Sequence, residues 1–130
     1  MEKIVLDTDV LIGLLRNDHT TVELVKSLEK ENELGATDIN AFELYRGAYK
    51  SNKTEGELAA TKGLLNTLFL AGTSEKAMEL AAKMIIDLER KGNPIDMRDL
   101  FIGSICLVNS FKLMTNNKKH FDRVKGLKLI

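Results

Sequence analysis

The feature that most constrains the fold is a continuous apolar run near the amino terminus, Ile4-Val5-Leu6, which ends directly at Asp7. An apolar run without polar alternation is typical of a strand buried on both faces, as in the centre of a parallel sheet. Parallel strands need crossover connections, and helices in those connections cover the sheet. The run therefore predicts an α/β fold with Asp7 at the carboxyl end of a central strand.

Predicted helices and strands alternate along the rest of the chain. Apolar periodicity and capping residues predict helices at Val10 to Arg16, Thr21 to Lys30, after Asp38, at Glu55 to Asn66, after Ser74 and at Met97 to Asn109. Further strands are predicted at Glu33 to Ala36, Leu68 to Leu70, Leu113 to Thr115 and Leu127 to Ile130. No hairpin turn signal joins these strands, so we expect a parallel sheet.

Two of the helices carry side-chain patterns that bear on packing and on a site. The helix after Asp38, its expected N-cap, has an apolar stripe that predicts its buried face, made of Ile39, Phe42, Tyr45 and Tyr49. In the Met97 helix, Asp96, Asp99 and Gly103 share one side. Gly103 is expected to leave space one turn beyond the two carboxylates.

Size and composition limit the class of protein. A chain of 130 residues with 44% apolar content predicts a single domain, 1–130. The 19 basic and 19 acidic residues balance, so overall charge does not indicate nucleic acid, although the segment from Lys112 to Ile130 is basic. The lone Cys106 excludes a disulfide framework. With no signal peptide or membrane span in the sequence, we expect a soluble cytoplasmic protein.

Several oxygen-bearing residues fall where the carboxyl ends of the strands meet helices. These are four acids and one amide, Asp7, Glu43, Asp96, Asp99 and Asn117. Convergent carboxylates repel one another and would hold protons unless a cation neutralised them. Oxygen ligands suit a hard divalent ion such as Mg²⁺ or Mn²⁺, and no Cys/His cluster indicates zinc.

Ordinary structural roles compete for most of these residues. Asp96 and Asp99 are well placed to cap and charge the amino end of the Met97 helix, and Asp9 to cap the Val10 helix. Asp7 is harder to explain in this way, because an acid that ends a buried strand needs a partner or a metal. Surface or turn positions are ordinary for the others, Glu43, Asn117 and His120.

Four segments, in order and spanning nearly the whole chain, resemble the PIN-domain nuclease family. They are Val5-Leu6-Asp7-Thr8-Asp9-Val10-Leu11-Ile12, the EL-x-x-G pattern within 37–47, the G-x-x-I-x-x-x-D pattern within 92–102, and Thr115-Asn116-Asn117-Lys118-Lys119-His120-Phe121. The resemblance implies a three-layer α/β/α domain with a short central parallel sheet. It also implies a metal-dependent ribonuclease whose catalytic and metal-binding acids are Asp7, Glu43 and Asp99.

The chain departs from the family pattern at a few positions. Asn117 stands where many members have a fourth acid, and Asp96 is an extra acid found in some relatives, so both are further candidate ligands. Gly103 and Ser104 replace an alanine pair, a change expected to preserve space rather than chemistry.

The resemblance is to the VapC-type toxins within that family. It implies Mg²⁺ as the cofactor, with Mn²⁺ as a substitute, RNA as the substrate, a homodimer, and a small antitoxin protein as the partner. Basic residues near the site are candidates for contacts with RNA phosphates, namely Arg46, Arg98, Lys118 and Lys119.

Other functions remain open at this stage. The chain could be a housekeeping RNA-processing nuclease of the same family, or a PIN-like scaffold that only binds partners. Asp7-Thr8-Asp9 after an apolar strand also resembles the opening of haloacid-dehalogenase-like phosphatases, in which the first Asp is the nucleophile. Leu11 stands where that family has Thr, and no later Lys motif is evident.

Overall fold

The computed structural model describes residues 1–130 and contains four strands and seven helices. The strands are β1 Glu2–Leu6, β2 Asn32–Thr37, β3 Phe69–Ala71 and β4 Lys112–Met114. The helices are α1 Thr8–Leu15, α2 His19–Glu29, α3 Asp38–Lys50, α4 Thr54–Leu65, α5 Glu75–Arg90, α6 Met97–Asn109 and α7 Lys118–Phe121. The elements predicted from the sequence agree with these bounds to within two residues, apart from the strand expected at Leu127 to Ile130. That segment makes only one isolated parallel bridge, between Leu113 and Leu129.

All strand pairs of the sheet are parallel, and the strand order is β3-β2-β1-β4. The chain builds outward from β1 through β2 to β3, and then returns through α5 and α6 to place β4 on the other side of β1. The direction of winding therefore reverses between β1 and β4. In open α/β sheets, ligands bind in the crevice beyond the carboxyl ends of the strands at such a reversal.

Side chains that alternate along β1 enter two separate cores, one on each face of the sheet. Ile4 and Leu6 pack with apolar residues of α1, α2 and α3, whereas Val5 packs with residues of α6 and α7. Both faces are thus covered by helices, which confirms the three-layer α/β/α architecture with a short central parallel sheet. The continuous apolar run at β1 is explained by this burial on both sides.

The predicted packing of α3 was wrong in two respects. Thr37 rather than Asp38 is the N-cap, in a capping box with Asn40. Of the predicted stripe, Phe42 and Tyr49 face outward, 64% and 68% exposed, whereas Ile39 and Tyr45 are partly buried. The buried residues of α3 are Asn40, Ala41, Leu44 and Ala48. The side chains of this buried face are smaller than Phe42 and Tyr49, which lets α3 pack closely against its neighbours.

The predicted role of Gly103 was also wrong. A Cβ at Gly103 would lie 2.9 Å from a methyl carbon of Val124. The absence of a side chain at Gly103 therefore makes room for the buried Val124 of the carboxy-terminal segment. It does not leave space beside the carboxylates.

No helix of the structure is both long enough and apolar enough to span a bilayer.

Gly35 of β2 offers a test of sheet packing, because a Cβ there would lie 2.4 Å from three ring atoms of Phe69. We expect Gly35→Ala to lower the free energy of unfolding by about 1–3 kcal/mol, as overpacked cores do, in urea denaturation. Gly56→Ala in α4 is the matched control, since nothing lies within 4 Å of that position. Alanine there should stabilise the helix by up to about 1 kcal/mol. Unchanged stability of Gly35→Ala would mean that the Phe69 ring moves aside freely.

Candidate functional site

Asp7 lies directly after β1, and hydrogen bonds hold both oxygens of its side chain. Its side chain is 1% exposed and caps α1, where Oδ1 accepts a hydrogen bond from the Thr8 amide at 2.8 Å. Oδ2 accepts from the Thr115 hydroxyl, just beyond β4, at 2.8 Å. The prediction that Asp9 caps this helix was wrong, because the N-cap of α1 is Asp7. The carboxylate lies in the crevice between β1 and β4 where the winding of the sheet reverses.

A buried polar network links Asp7 to the second acid, Glu43 of α3. The Thr8 hydroxyl donates to Glu43 Oε1 at 2.6 Å, and the Asn40 amide nitrogen donates to the Thr8 hydroxyl at 2.9 Å. Asn40 is itself held by the capping box, since its Oδ1 accepts from the Thr37 amide at 2.9 Å and from the Thr37 hydroxyl at 2.7 Å. The turn that starts α3 therefore sets the position of Glu43.

The start of α6 brings the third acid to the same place. Asp96 is the N-cap and accepts a hydrogen bond from the Arg98 amide at 2.9 Å, which confirms its predicted capping role. Asp99, in the first turn of the helix, has a side chain that is 6% exposed. Asp96 itself is exposed at the surface.

The Arg98 side chain lies among the three acids and contacts each of them. Its Nη2 is 2.7 Å from Asp7 Oδ1, its Nε is 2.6 Å from Glu43 Oε2, and its Nη1 is 2.6 Å from Asp99 Oδ1. Charge-assisted hydrogen bonds of this length are strong. Asp7, Glu43 and Asp99, far apart in sequence, thus converge on one position that a cation occupies.

Burial and mutual repulsion shape the ionisation of this cluster. Burial is the largest cause that raises the pKa of Asp99, and the charge of Asp7 raises it further although Arg98 acts in the opposite direction. Burial and the charge of Asp7 also raise the pKa of Asp9. Burial alone would lower the pKa of Arg98, but its hydrogen bonds to the acids outweigh burial and raise it. Three carboxylates around one guanidinium leave an excess of negative charge.

The other candidates lie around the cluster rather than in it. Asn117 donates from Nδ2 to Asp9 Oδ2 at 3.2 Å, and the Asn116 amide donates to the same oxygen at 3.0 Å. This pairing fixes the loop after β4 against α1. The exposed basic candidates are Arg46 on α3 and Lys118 and Lys119 on α7.

Four residues of the site were not singled out from the sequence as functional. Thr8, Asn40 and Thr115 orient the acids, and His120 lies with Nδ1 3.7 Å from Asp99 Oδ2 while its side chain is 64% exposed. Thr37 and Asn40 have the three-residue spacing of a capping box, a signal that could have placed Asn40 at the start of α3. His120 had been expected at the surface, and the structure adds its proximity to Asp99.

Asn40 offers a test of this network, because it is fully buried with its side chain hydrogen-bonded at both ends. We expect Asn40→Ala to lower the free energy of unfolding by about 1–3 kcal/mol, the usual cost of buried polar groups left without partners. Chemical denaturation measures this change. Asn52→Ala, at an exposed turn, should stay within about 0.5 kcal/mol of wild type. Equal values for the two variants would mean that the network contributes nothing to stability.

The comparisons with known proteins all indicate the same protein family. The PIN domain model matches residues 4–127. Ribonuclease VapC1 of Methanocaldococcus jannaschii is 31% identical over 98% of this chain and 86% of that protein. The tRNA(fMet)-specific endonuclease VapC of Shigella flexneri is 27% identical over 98% of this chain and 96% of that protein.

A solved structure agrees with these sequence relatives. The crystal structure of VapBC2 from Rickettsia felis, bound to a promoter DNA fragment, contains a chain that superposes with a TM-score of 0.90 at 27% identity. The match covers 98% of this chain and 97% of that chain. Because the PIN domain match includes Asp7-Thr8-Asp9, this segment belongs to a PIN domain and not to a haloacid-dehalogenase-like phosphatase. The chain therefore belongs to the PIN-domain family and, within it, to the VapC group.

Proposed function

We propose that this chain is a divalent-metal-dependent ribonuclease, the toxin of a VapBC-type pair, and that Asp7, Glu43 and Asp99 form its active site. One observation carries the proposal. Carboxylates from β1, α3 and α6 converge on a single cation position at the point where the winding of the sheet reverses. Relatives named as VapC ribonucleases support RNA as the substrate.

The donor set fits Mg²⁺ or Mn²⁺. Asp7, Glu43 and Asp99 offer only carboxylate oxygens, the ligands that hard divalent ions prefer. The three acids carry more negative charge than Arg98 balances, so a doubly charged ion would neutralise them better. When bound, such an ion supplies charge neutralisation at the scissile phosphodiester and lowers the pKa of water.

The surrounding residues would orient the acids and hold the RNA. Thr115 and Thr8 each donate to one carboxylate and so limit its rotation. A carboxylate of the set would accept the proton of the attacking water, which is the ordinary role of a general base. Positive charge for flanking phosphates would come from exposed side chains near the site, Arg46, Lys118 and Lys119. Arg98 is committed to the acids as the structure stands and could contact phosphate only after moving.

The remaining two candidate ligands have structural roles in this fold. Asp96 caps α6, and the Asn117 amide binds Asp9. Neither contacts the Arg98 guanidinium, so the proposed ligand set is Asp7, Glu43 and Asp99.

The proposed partners follow from the relatives. The crystal structures of VapBC from Salmonella typhimurium and VapBC-1 from nontypeable Haemophilus influenzae each contain a chain similar to this one. We therefore propose a small antitoxin protein as the partner of this chain, and the homodimer remains a proposal that rests on the family resemblance alone. The toxin role is favoured over a housekeeping nuclease by these matches.

Cleavage of labelled RNA by the purified protein tests the proposed function. We expect cleavage with Mg²⁺ or Mn²⁺, and complete loss of cleavage when EDTA is added. Single-stranded DNA of the same sequence is the control substrate. Cleavage that continues undiminished in excess EDTA would contradict the metal-dependent mechanism.

A further inference from the structure

The Arg98 guanidinium binds the same carboxylate oxygens that an ion at this site would need. The guanidinium binds Asp7 Oδ1, Glu43 Oε2 and Asp99 Oδ1. Two of the remaining oxygens are committed elsewhere, because Asp7 Oδ2 accepts from Thr115 and Glu43 Oε1 accepts from Thr8. An ion and the guanidinium would therefore compete for the same three atoms.

The spacing of the acids points the same way. With Arg98 between them, no three acidic, histidine or cysteine side chains lie close enough together to coordinate one ion. The guanidinium lies between the three carboxylates, with one of its nitrogens bound to each. Joint coordination by Asp7, Glu43 and Asp99 requires the guanidinium to leave and the carboxylates to close in.

Arg98 is placed so that it can leave without disturbing the packing of the fold. It is the second residue of α6, in the first turn of the helix, between the exposed residue Met97 and the buried Asp99. Its side chain is 29% exposed, so one side of it already faces solvent. Rotation outward would break three ion pairs without unpacking either hydrophobic core.

We propose that Arg98 is an internal counter-cation that neutralises the acid site without metal and withdraws when a divalent ion binds. The proposal rests on the proposed function for the existence of an ion site, and it assigns to Arg98 control over the affinity of that site. When the Arg98 guanidinium withdraws, its single positive charge at the site is replaced by the two positive charges of the divalent ion. The wild-type protein therefore binds its ion more weakly than the three acids alone would.

Mn²⁺ binding by Arg98→Met, measured at pH 7.5 by calorimetry and by electron paramagnetic resonance of free Mn²⁺, tests the proposal. Methionine keeps much of the side-chain volume and removes the charge. We expect the Kd for Mn²⁺ to fall about tenfold or more, since the ion no longer breaks three ion pairs. The melting temperature of the metal-free variant should fall because the acids lose their counter-cation. Arg90→Met, at the exposed end of α5, is the matched control and should behave like wild type.

The outcomes separate this proposal from the proposed function. If wild type binds Mn²⁺ and the Kd of Arg98→Met is equal to or higher than that of wild type, the counter-cation role is overturned. The proposed metal-dependent ribonuclease activity would still stand. Absence of Mn²⁺ binding in both proteins would remove the ion site itself, and the counter-cation role with it.

A measurement on the wild type keeps the test decisive if Arg98→Met does not fold. In NMR spectra, the Arg98 Nε–H should be protected from exchange with water without metal. It should lose that protection when Mg²⁺ saturates the protein, while the Arg90 signal stays unchanged. Full retention of the Arg98 signal at saturating Mg²⁺ would overturn the proposal.

Discussion

Asp7→Asn and Asp99→Asn should each reduce RNA cleavage by more than about 10²-fold. Substitution of a residue that merely supports a metal ligand costs about 10- to 100-fold in affinity or activity, so loss of a ligand should cost more. Both acids are buried at the convergence point, and asparagine keeps their shape while removing the charge. Initial rates of cleavage of one labelled RNA, at fixed Mg²⁺, measure the effect.

Asp87→Asn is the matched control for this prediction, because Asp87 is an exposed acid of α5. It should cleave RNA at the wild-type rate. All variants should have the same circular dichroism spectrum, so that loss of activity is not loss of fold. Equal cleavage by wild type, Asp7→Asn and Asp99→Asn would show that the activity belongs to a contaminant.

The wild-type protein should gain about 2.7 kcal/mol of stability when Mn²⁺ is present at a hundredfold excess over its Kd, because the ion binds only the folded state. Asp99→Asn should lose most of that gain. The stability of its metal-free form should change little, because loss of the ion pair with Arg98 is offset by relief of the repulsion from Asp7 and Asp96. Unfolding curves with and without Mn²⁺ measure both quantities.

The variant Asp96→Ala tests whether Asp96 is an ion ligand or only the cap of helix α6. Asp96 accepts from the Arg98 amide at the start of α6, so its loss should cost about 0.5–2 kcal/mol with or without metal. Part of the Mn²⁺ gain should remain in this variant. An undiminished Mn²⁺ gain in Asp99→Asn would show that the ion site has been misplaced.

Local patterns were sufficient for most of the fold. The apolar run at Ile4 to Leu6 predicts a doubly buried strand, and the capping acid with helical periodicity predicts α6 at Met97 to Asn109. The packing of α3 could not be predicted in the same way. Aromatic and small residues form two stripes on that helix, and only the space available against its neighbours decides that Ala41, Leu44 and Ala48 pack inside.

Two acids of the candidate site could be predicted from their positions at element boundaries, whereas Glu43 lies in the middle of α3 and was indicated only by the family resemblance. Asp7 follows β1, and Asp99 lies in the first turn of α6. The ion pairs of Arg98 were not predictable, because a long side chain next to Asp99 in sequence has many possible directions. The capture of its guanidinium by Asp7 and Glu43 depends on the tertiary placement of α6 over the end of the sheet.

Anomalous diffraction from crystals of the wild-type protein soaked in Mn²⁺ tests the proposed ion site most directly. We predict an anomalous peak bounded by the carboxylates of Asp7, Glu43 and Asp99, with the Arg98 guanidinium withdrawn from between them. A saturated crystal whose Mn²⁺ peaks lie elsewhere, while the three ion pairs of Arg98 stay intact, would contradict the site.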